Sequence, residues 1–257
     1  MSDASSTPSA IKPFFFVGNK RSGTSLLVRL LNLHPHLFVS HESDIVWILY
    51  QYHKGLAFRR YPEDGELGMN YTLQHFADLL SPDKTPYENY LCVQLELMRH
   101  GSDWLPPMAK QELIWVGDKK PVQQNNPEVL AFIARHFPHT RYLHLVRNPF
   151  HFLNSFRKMN PGRDDFTNEW ILKFWARNEQ SVIEQKDKLP ILTLGYKELC
   201  LDTEASLSRI LAHLDLDPDL SFLAGAEKIR WSHYEEPPPQ GVPAEVEAIV
   251  AHYPDAL

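Results

Sequence analysis

Gly18 and Gly23 bracket a short loop between an apolar run, Phe14-Phe15-Phe16-Val17, and the apolar-periodic segment that opens Thr24-Ser25-Leu26-Leu27. A strand entering a helix through such a loop turns free backbone N–H groups, and the positive end of the helix dipole, toward one point. That point suits an anion, and Lys20 and Arg21 add cations inside the turn. The spacing G-x-x-x-x-G is that of a phosphate-binding P-loop, which continues with Lys and then Ser or Thr. Here Thr24-Ser25 follow the second glycine directly. The lysine that reaches the β/γ-phosphates of a nucleoside triphosphate is missing, so the loop reads as an anion cradle not built for the γ-phosphate of ATP.

The elements that must hold this loop alternate between strand and helix. Strands are expected at Ile11–Val17, Leu37–Ser40, Leu113–Gly117, Arg141–Val146 and Ile191–Leu194. Helices are expected at Thr24–Leu33, Ile45–Tyr52, Tyr87–Arg99, Pro127–His136, Phe150–Lys158 and Phe166–Lys188, then from the Asp202 cap to Leu214, and at Ala244–His252. Trp170, Phe174 and Trp175 should form the inner face of the long one. Three consecutive Phe in the first strand predict burial on both faces, as in a parallel sheet. The alternation predicts an α/β fold of three layers: a mainly parallel central sheet with helices on both faces. Met1–Ala10 reads as a disordered lead-in, and residues 11–257 as one domain.

The chain has 257 residues, 43% hydrophobic, enough for a large core. A net charge of −6 argues against a general nucleic-acid partner. Cys92 and Cys200 are the only cysteines and imply no disulfide framework. No apolar run is long enough to span a bilayer, and no leader pattern opens the chain, so a cytoplasmic protein is the expectation. The His residues are scattered and form no metal-ligand spacing; no metal is expected.

Ligands of open α/β sheets bind beyond the carboxyl ends of the strands. The polar groups there are Lys20 to Ser25, His41 to Asp44, Asp118 to Lys120, Arg147 to Pro149 and Tyr196 to Glu198. They bring Lys20, Arg21, Lys119 and Arg147 together with one evident carboxylate base, Glu42. Lys120 reads instead as a solvated surface cation, and His41 as structural.

Two motifs in this set carry a family resemblance. Gly18-Asn19-Lys20-Arg21-Ser22-Gly23-Thr24-Ser25-Leu26-Leu27, with its helix ending at His34-Pro35, resembles the 5′-phosphosulfate loop of sulfotransferases that use 3′-phosphoadenosine 5′-phosphosulfate (PAPS). Tyr142-Leu143-His144-Leu145-Val146-Arg147-Asn148-Pro149, with Ser155 eight positions past the arginine, resembles their 3′-phosphate motif. Gly195-Tyr196-Lys197-Glu198-Leu199 is a third, weaker match. The Arg-Ser-Gly-Thr loop with Glu after the second strand is most similar to the branch that includes tyrosylprotein and bacterial sulfotransferases.

The resemblance implies a P-loop-like sulfotransferase fold, PAPS as co-substrate and 3′-phosphoadenosine 5′-phosphate (PAP) as product. Carried over by position, Lys20, Arg21, Ser22, Gly23, Thr24 and Ser25 would bind the 5′-phosphosulfate, Arg147 and Ser155 the 3′-phosphate, and Tyr196 would line the nucleotide site. Glu42 would be the general base, with Lys119 and Lys20 beside the transferring group. Met159 stands where some relatives carry another phosphate-binding Arg, a role Arg157 would have to take over. The loop covering the nucleotide would fall at Glu227–Trp231. The acceptor would be a hydroxyl, less readily an amine, on a sugar, phenol, lipid or peptide; the middle region from Tyr50 to Met108 would build its pocket. Assembly is not readable. Two rival readings stand beside this one. A P-loop small-molecule kinase requires the absent loop lysine, and a catalytically silent nucleotide-binding module leaves Glu42 and Lys119 without a purpose.

Overall fold

The Phe14-Phe15-Phe16 run does bury on both faces: Phe14 and Phe16 join one apolar cluster and Phe15 the other, all fully buried. The computed structural model describes residues 11–56, 75–110, 112–224 and 241–254. The expected lead-in Met1–Ala10 and the expected covering loop Glu227–Trp231 lie outside the described residues, as does part of the middle region.

Five strands form one parallel sheet in the order β2-β3-β1-β4-β5: β1 Lys12–Val17, β2 Leu37–His41, β3 Trp115–Lys119, β4 Arg141–Val146 and β5 Ile191–Gly195. Their carboxyl ends share one edge, so each strand delivers its next residues to the same place. On one face, α1 (Thr24–Leu31) and the later helix Thr203–His213 pack over Phe14, Phe16, Leu37 and Val39. On the other, α2 (Ile45–His53), α3 (Pro86–His100), the short α4 (Pro121–Gln124) and α5 (Pro127–His136) lie on the side of Phe15, Val17 and Phe38. A third cluster joins α6 (Pro149–Met159), α7 (Asn168–Gln185) and, past α8 (Tyr196–Leu201) and α9 (Thr203–His213), α10 (Ala244–Val250). Helix starts obey local chemistry. Thr85 and Glu88 form a reciprocal capping box, and Asn148 caps α6 with Pro149 at its first position. Among the described residues no helix is long and apolar enough to cross a membrane.

Three expectations need correction. The third strand runs over Trp115–Lys119 rather than Leu113–Gly117, because Trp115 pairs with both Lys12 and Leu37 and the ladder continues through a buried aspartate. That residue, Asp118, pairs both carboxylate oxygens: Ser40 and Ser43 hydroxyls donate to Oδ1, each at 2.6 Å, and Gln124 Nε2 donates to Oδ2 at 2.6 Å. Trp170 is not on the inner face of α7. It is 43% exposed and stacks between Phe166 and Phe174 along the outer side, while Ile171, Leu172 and Trp175 fill the core positions. Lys120 is not solvated but 6% exposed, between two carboxylates.

Candidate active site

The loop after β1 is shaped by three left-handed residues, Gly18 at φ +94°, Arg21 at +65° and Gly23 at +95°. Glycine is required at both ends for space as well as torsion. A Cβ on Gly18 would sit 2.5 Å from the His144 ring, and one on Gly23 would run into the Tyr196 ring. Asn19 anchors the turn from below: its Nδ2 donates to the Trp175 carbonyl at 3.0 Å and to Glu179 Oε1 at 2.8 Å. Glu179 in turn stands 2.8 Å from His144 Nε2, both fully buried. The loop is thus tied to β4 and α7 before any ligand arrives. Gly23→Ala should therefore be costly. A left-handed alanine costs about 1–2 kcal/mol, displacement of Tyr196 adds to it, and Tm should fall by roughly 4–8 °C; a thermal melt reads this directly.

Above the loop lies a cavity of about 390 Å³. It is lined by Lys20, Arg21, Gly23, Thr24 and Ser25 from the loop and α1, by Glu42 and Lys119 from the ends of β2 and β3, and by Arg147 and Tyr196 from those of β4 and β5. Its cations, Lys20, Arg21, Lys119 and Arg147, face one carboxylate. Lys20 and Tyr196, 176 positions apart in sequence, meet here because parallel strands all end on one edge.

Arg147 is almost fully buried. Its Nη1 donates to the Arg21 carbonyl at 3.0 Å, and its guanidinium stacks over the Tyr196 ring at 4.5 Å. Arg21 Nε donates to Ser155 Oγ at 3.3 Å, so Ser155 reaches the cavity wall through that arginine. Lys20 holds its ammonium over the rings of Phe156 and Phe174, 4.9 and 5.6 Å from their centroids. Loss of water there lowers its pKa, against the pull of Glu42. Ser22 is buried, its hydroxyl without a partner, and its side chain does not line the cavity.

Glu42 occupies a left-handed turn, φ +56°, held by its backbone N–H on the Lys119 carbonyl. Its two oxygens are divided between lysines, Lys119 Nζ at 2.8 Å and Lys120 Nζ at 3.1 Å. Lys120 also pairs with Asp44 at 3.0 Å. Burial alone would raise the Glu42 carboxyl, but the two ammonium groups outweigh it and hold the pKa at about 2. Burial lowers Lys119, opposed by Glu42. Asp118, beneath this turn, is pushed up to about 6 by burial, against its serine donors. With three donors on its oxygens it is a pin for the β2 and β3 ends rather than an open metal ligand.

Sequence reasoning missed part of the wall. Phe156 and Asn160 also line the cavity, beside Met159, the position already singled out for a family arginine; the helical period starting from Ser155 at α6 puts position 159 on the same face. Arg157 points elsewhere, with Nε and Nη2 donating to Asn168 Oδ1 at 2.8 and 2.6 Å and Nη2 to the Phe166 carbonyl at 3.2 Å. No periodicity would have found Lys120, because its burial depends on Asp44 and Glu42 from another strand end.

The family model described as the sulfotransferase family matches residues 13–219, which include all of the sheet but its first residue, Lys12, and every cavity-lining residue. Solved structures share the fold at low identity. The sulfotransferase domain from the curacin biosynthetic pathway superposes with a TM-score of 0.62 at 17% identity, covering 95% of this chain and 98% of that one. The sulfotransferase domain from the Synechococcus PCC 7002 olefin synthase gives 0.60 at 19%, covering 96% of each chain. A sulfotransferase from Alicyclobacillus acidocaldarius gives 0.56 at 17%, covering 95% of this chain and 92% of that one. No curated protein matches the sequence. With most of its length matched by the family model, and a cationic cavity at the one edge where all five strands end, this chain belongs to the sulfotransferase family.

Proposed function

We propose that this sulfotransferase takes its sulfuryl group from PAPS and delivers it to an acceptor hydroxyl, releasing PAP. The observation that carries the reading is the meeting, in one cavity, of the anion-binding loop with the Glu42–Lys119 pair and the buried Arg147. The chain's own residues suit such a donor. The N-terminus of α1 opens on the cavity, with Thr24 and Ser25 on its wall, Gly23 brings backbone close where a side chain would obstruct, and four cations surround the space.

The roles are those the family resemblance implies, and the charges suit them. Lys20, Arg21 and the N–H groups from Ser22 to Ser25 would hold the 5′-phosphosulfate, Arg147 with Ser155 the 3′-phosphate, and Tyr196 the nucleotide's flank. In the transfer, the bond from sulfur to the bridging phosphate oxygen breaks as the acceptor oxygen bonds to sulfur. The electron pair and negative charge leave with the phosphate, where Lys20 and Lys119 stabilise them. Glu42 takes the proton of the acceptor hydroxyl. Catalysis of this kind is mostly positioning and charge stabilisation.

The kinase reading lacks support in two places: the loop has no lysine beside Thr24-Ser25, and Asp118 already takes three protein donors on its oxygens. A thermal shift series decides between them. PAP at about one hundred times its Kd should stabilise the protein by roughly 2.7 kcal/mol, and ATP with Mg²⁺ at the same concentration by far less. Equal shifts with both ligands, or none with either, would overturn the donor assignment.

A further inference from the structure

Of the polar groups around the cavity, one contact has no part in the scheme above. His41, the last residue of β2, faces the α1 side of the sheet, since side chains alternate and Leu37 and Val39 lie in that cluster. Its Nε2 lies 2.8 Å from the hydroxyl of Ser25, the second residue of α1 and a cavity-lining group. The opposite ring nitrogen, Nδ1, is buried and meets no hydrogen-bonding group beyond the backbone of its own residue. The ring is roofed by Trp104, 5.3 Å between centroids and 32° between planes, which the Ser102–Leu105 bridge presents.

These contacts select a tautomer. A buried N–H without an acceptor is rarer in folded proteins than an acceptor left short of a donor. With no acceptor on another residue, Nδ1 is assigned the lone pair and Nε2 the hydrogen. Burial first, and Lys119 second, push the imidazole down to about 4 against the pull of Glu42, so the ring is neutral at ordinary pH and its tautomer matters. A serine hydroxyl has one hydrogen to give. If Nε2 accepted from Ser25, that hydrogen would be spent within the protein. With Nε2–H as donor, it is available to the cavity.

We propose that His41 is a positioning residue of the anion cradle: its Nε2–H donates to Ser25 Oγ and directs the Ser25 hydroxyl hydrogen at the oxygens of the bound 5′-phosphosulfate. This rests on the donor reading given above. It extends the cradle from the loop to the edge of β2. It also makes Ser25 a fixed donor rather than a freely rotating one, so the anion does not have to order it on binding. Trp104 serves by closing the ring's outer face and holding its plane.

Calorimetric titration with two probes, PAP and inorganic pyrophosphate, tests this on wild type, Ser25→Ala, His41→Phe, His41→Gln and the Ser25→Ala/His41→Phe double variant. His41→Phe keeps a ring under Trp104 but has no donor. It should weaken PAP about tenfold, the worth of one hydrogen bond to a charged group, and match Ser25→Ala. The double variant should be no weaker than Ser25→Ala alone, because both changes remove one device. His41→Gln, with an amide N–H to offer, should recover part of the loss. In turnover, His41→Phe should raise the donor KM with little change in kcat, whereas general damage lowers Tm and kcat together. If His41→Phe does not fold, Ser25→Ala against His41→Gln carries the same comparison.

Unchanged PAP affinity in His41→Phe, or losses that multiply in the double variant, would overturn the proposal. Wild type binding pyrophosphate but not PAP would refute the donor reading alone, and the same variants read with pyrophosphate would still decide the role of His41. Binding of neither probe would refute both.

Discussion

Glu42→Gln should lower kcat by about 10²–10⁴-fold, the usual worth of a positioned general base, while the thermal shift produced by PAP is at least as large as in wild type, because the carboxylate no longer competes for Lys119 and Lys120. Glutamine keeps the shape and a hydrogen-bond acceptor for Lys119 but cannot take a proton. The free enzyme holds this carboxyl at about 2, a weak base, because Lys119 and Lys120 both pair with it. In the proposed role, a bound anion beside Lys20 and Lys119 would compete for those ammonium groups and raise the carboxyl toward its ordinary range, so the base would strengthen once the donor is present. In the pH profile, kcat/KM should show no acid limb from Glu42 near neutrality, and kcat should carry one at higher pH than the free carboxyl allows. The depressed carboxyl also contributes stability that is complete above its ordinary value of 4.5 and is lost as pH falls through about 2. Transfer at the wild-type rate in Glu42→Gln would remove Glu42 from the proton's path.

Arg147→Ala should abolish most of the stabilisation by PAP. Removing a guanidinium that pairs with a phosphate costs about 1.5–3 kcal/mol, or on the order of 10–100-fold in Kd. At a PAP concentration of about one hundred wild-type Kd, a 100-fold loss reduces the ligand's stabilisation from roughly 2.7 to about 0.4 kcal/mol. In a melt this is a shift of roughly 5–10 °C collapsing to about 1–2 °C. The comparison must be made within each protein, with and without ligand, because Arg147 also bonds the Arg21 carbonyl and stacks on Tyr196. Arg147→Lys should recover only part of the shift, since an ammonium keeps the charge without the planar fork. A full PAP shift in Arg147→Ala would place the 3′-phosphate elsewhere.

These two variants probe opposite ends of the cavity, and they are separable for a structural reason. Glu42 is held by β2, β3 and Asp118 with its three donors. Arg147 is held by β4, by the Arg21 carbonyl that its Nη1 bonds, and by Trp175, whose Nε1 donates to the Arg147 carbonyl at 3.1 Å. Among the described residues, the supporting groups named for the two ends differ apart from the loop. Loss of one end therefore leaves the other in place, and binding and transfer should fail independently.

The alternation of strand and helix was legible because it is written in local terms. Apolar runs, caps and prolines place α5 and β4 at the bounds expected from them, Pro127–His136 and Arg141–Val146. The end of β3 was not, because the residue that prolongs it is charged. Asp118 stays in the strand only through donors from positions 40, 43 and 124, and no window around Asp118 contains the first two. Trp170 was misplaced for a related reason. Its type suggests core, but whether a helix's aromatic edge is inside depends on what packs there, and here α6 covers it only in part.

The sequence by itself determined the class of fold, the loop between Gly18 and Gly23, and the identities of most side chains at the strand exits. Glycine spacing and strand-exit residues are short-range facts, and the parallel topology they imply already requires those exits to share an edge. Only the tertiary structure decided what each group does beside its neighbours: that Lys120 is buried with Glu42 and Asp44, that Arg147 braces the loop while stacking on Tyr196, and that His41 meets Ser25. Desolvation and charge pairing depend on all atoms within a few ångströms, and those atoms come from residues dozens of positions apart.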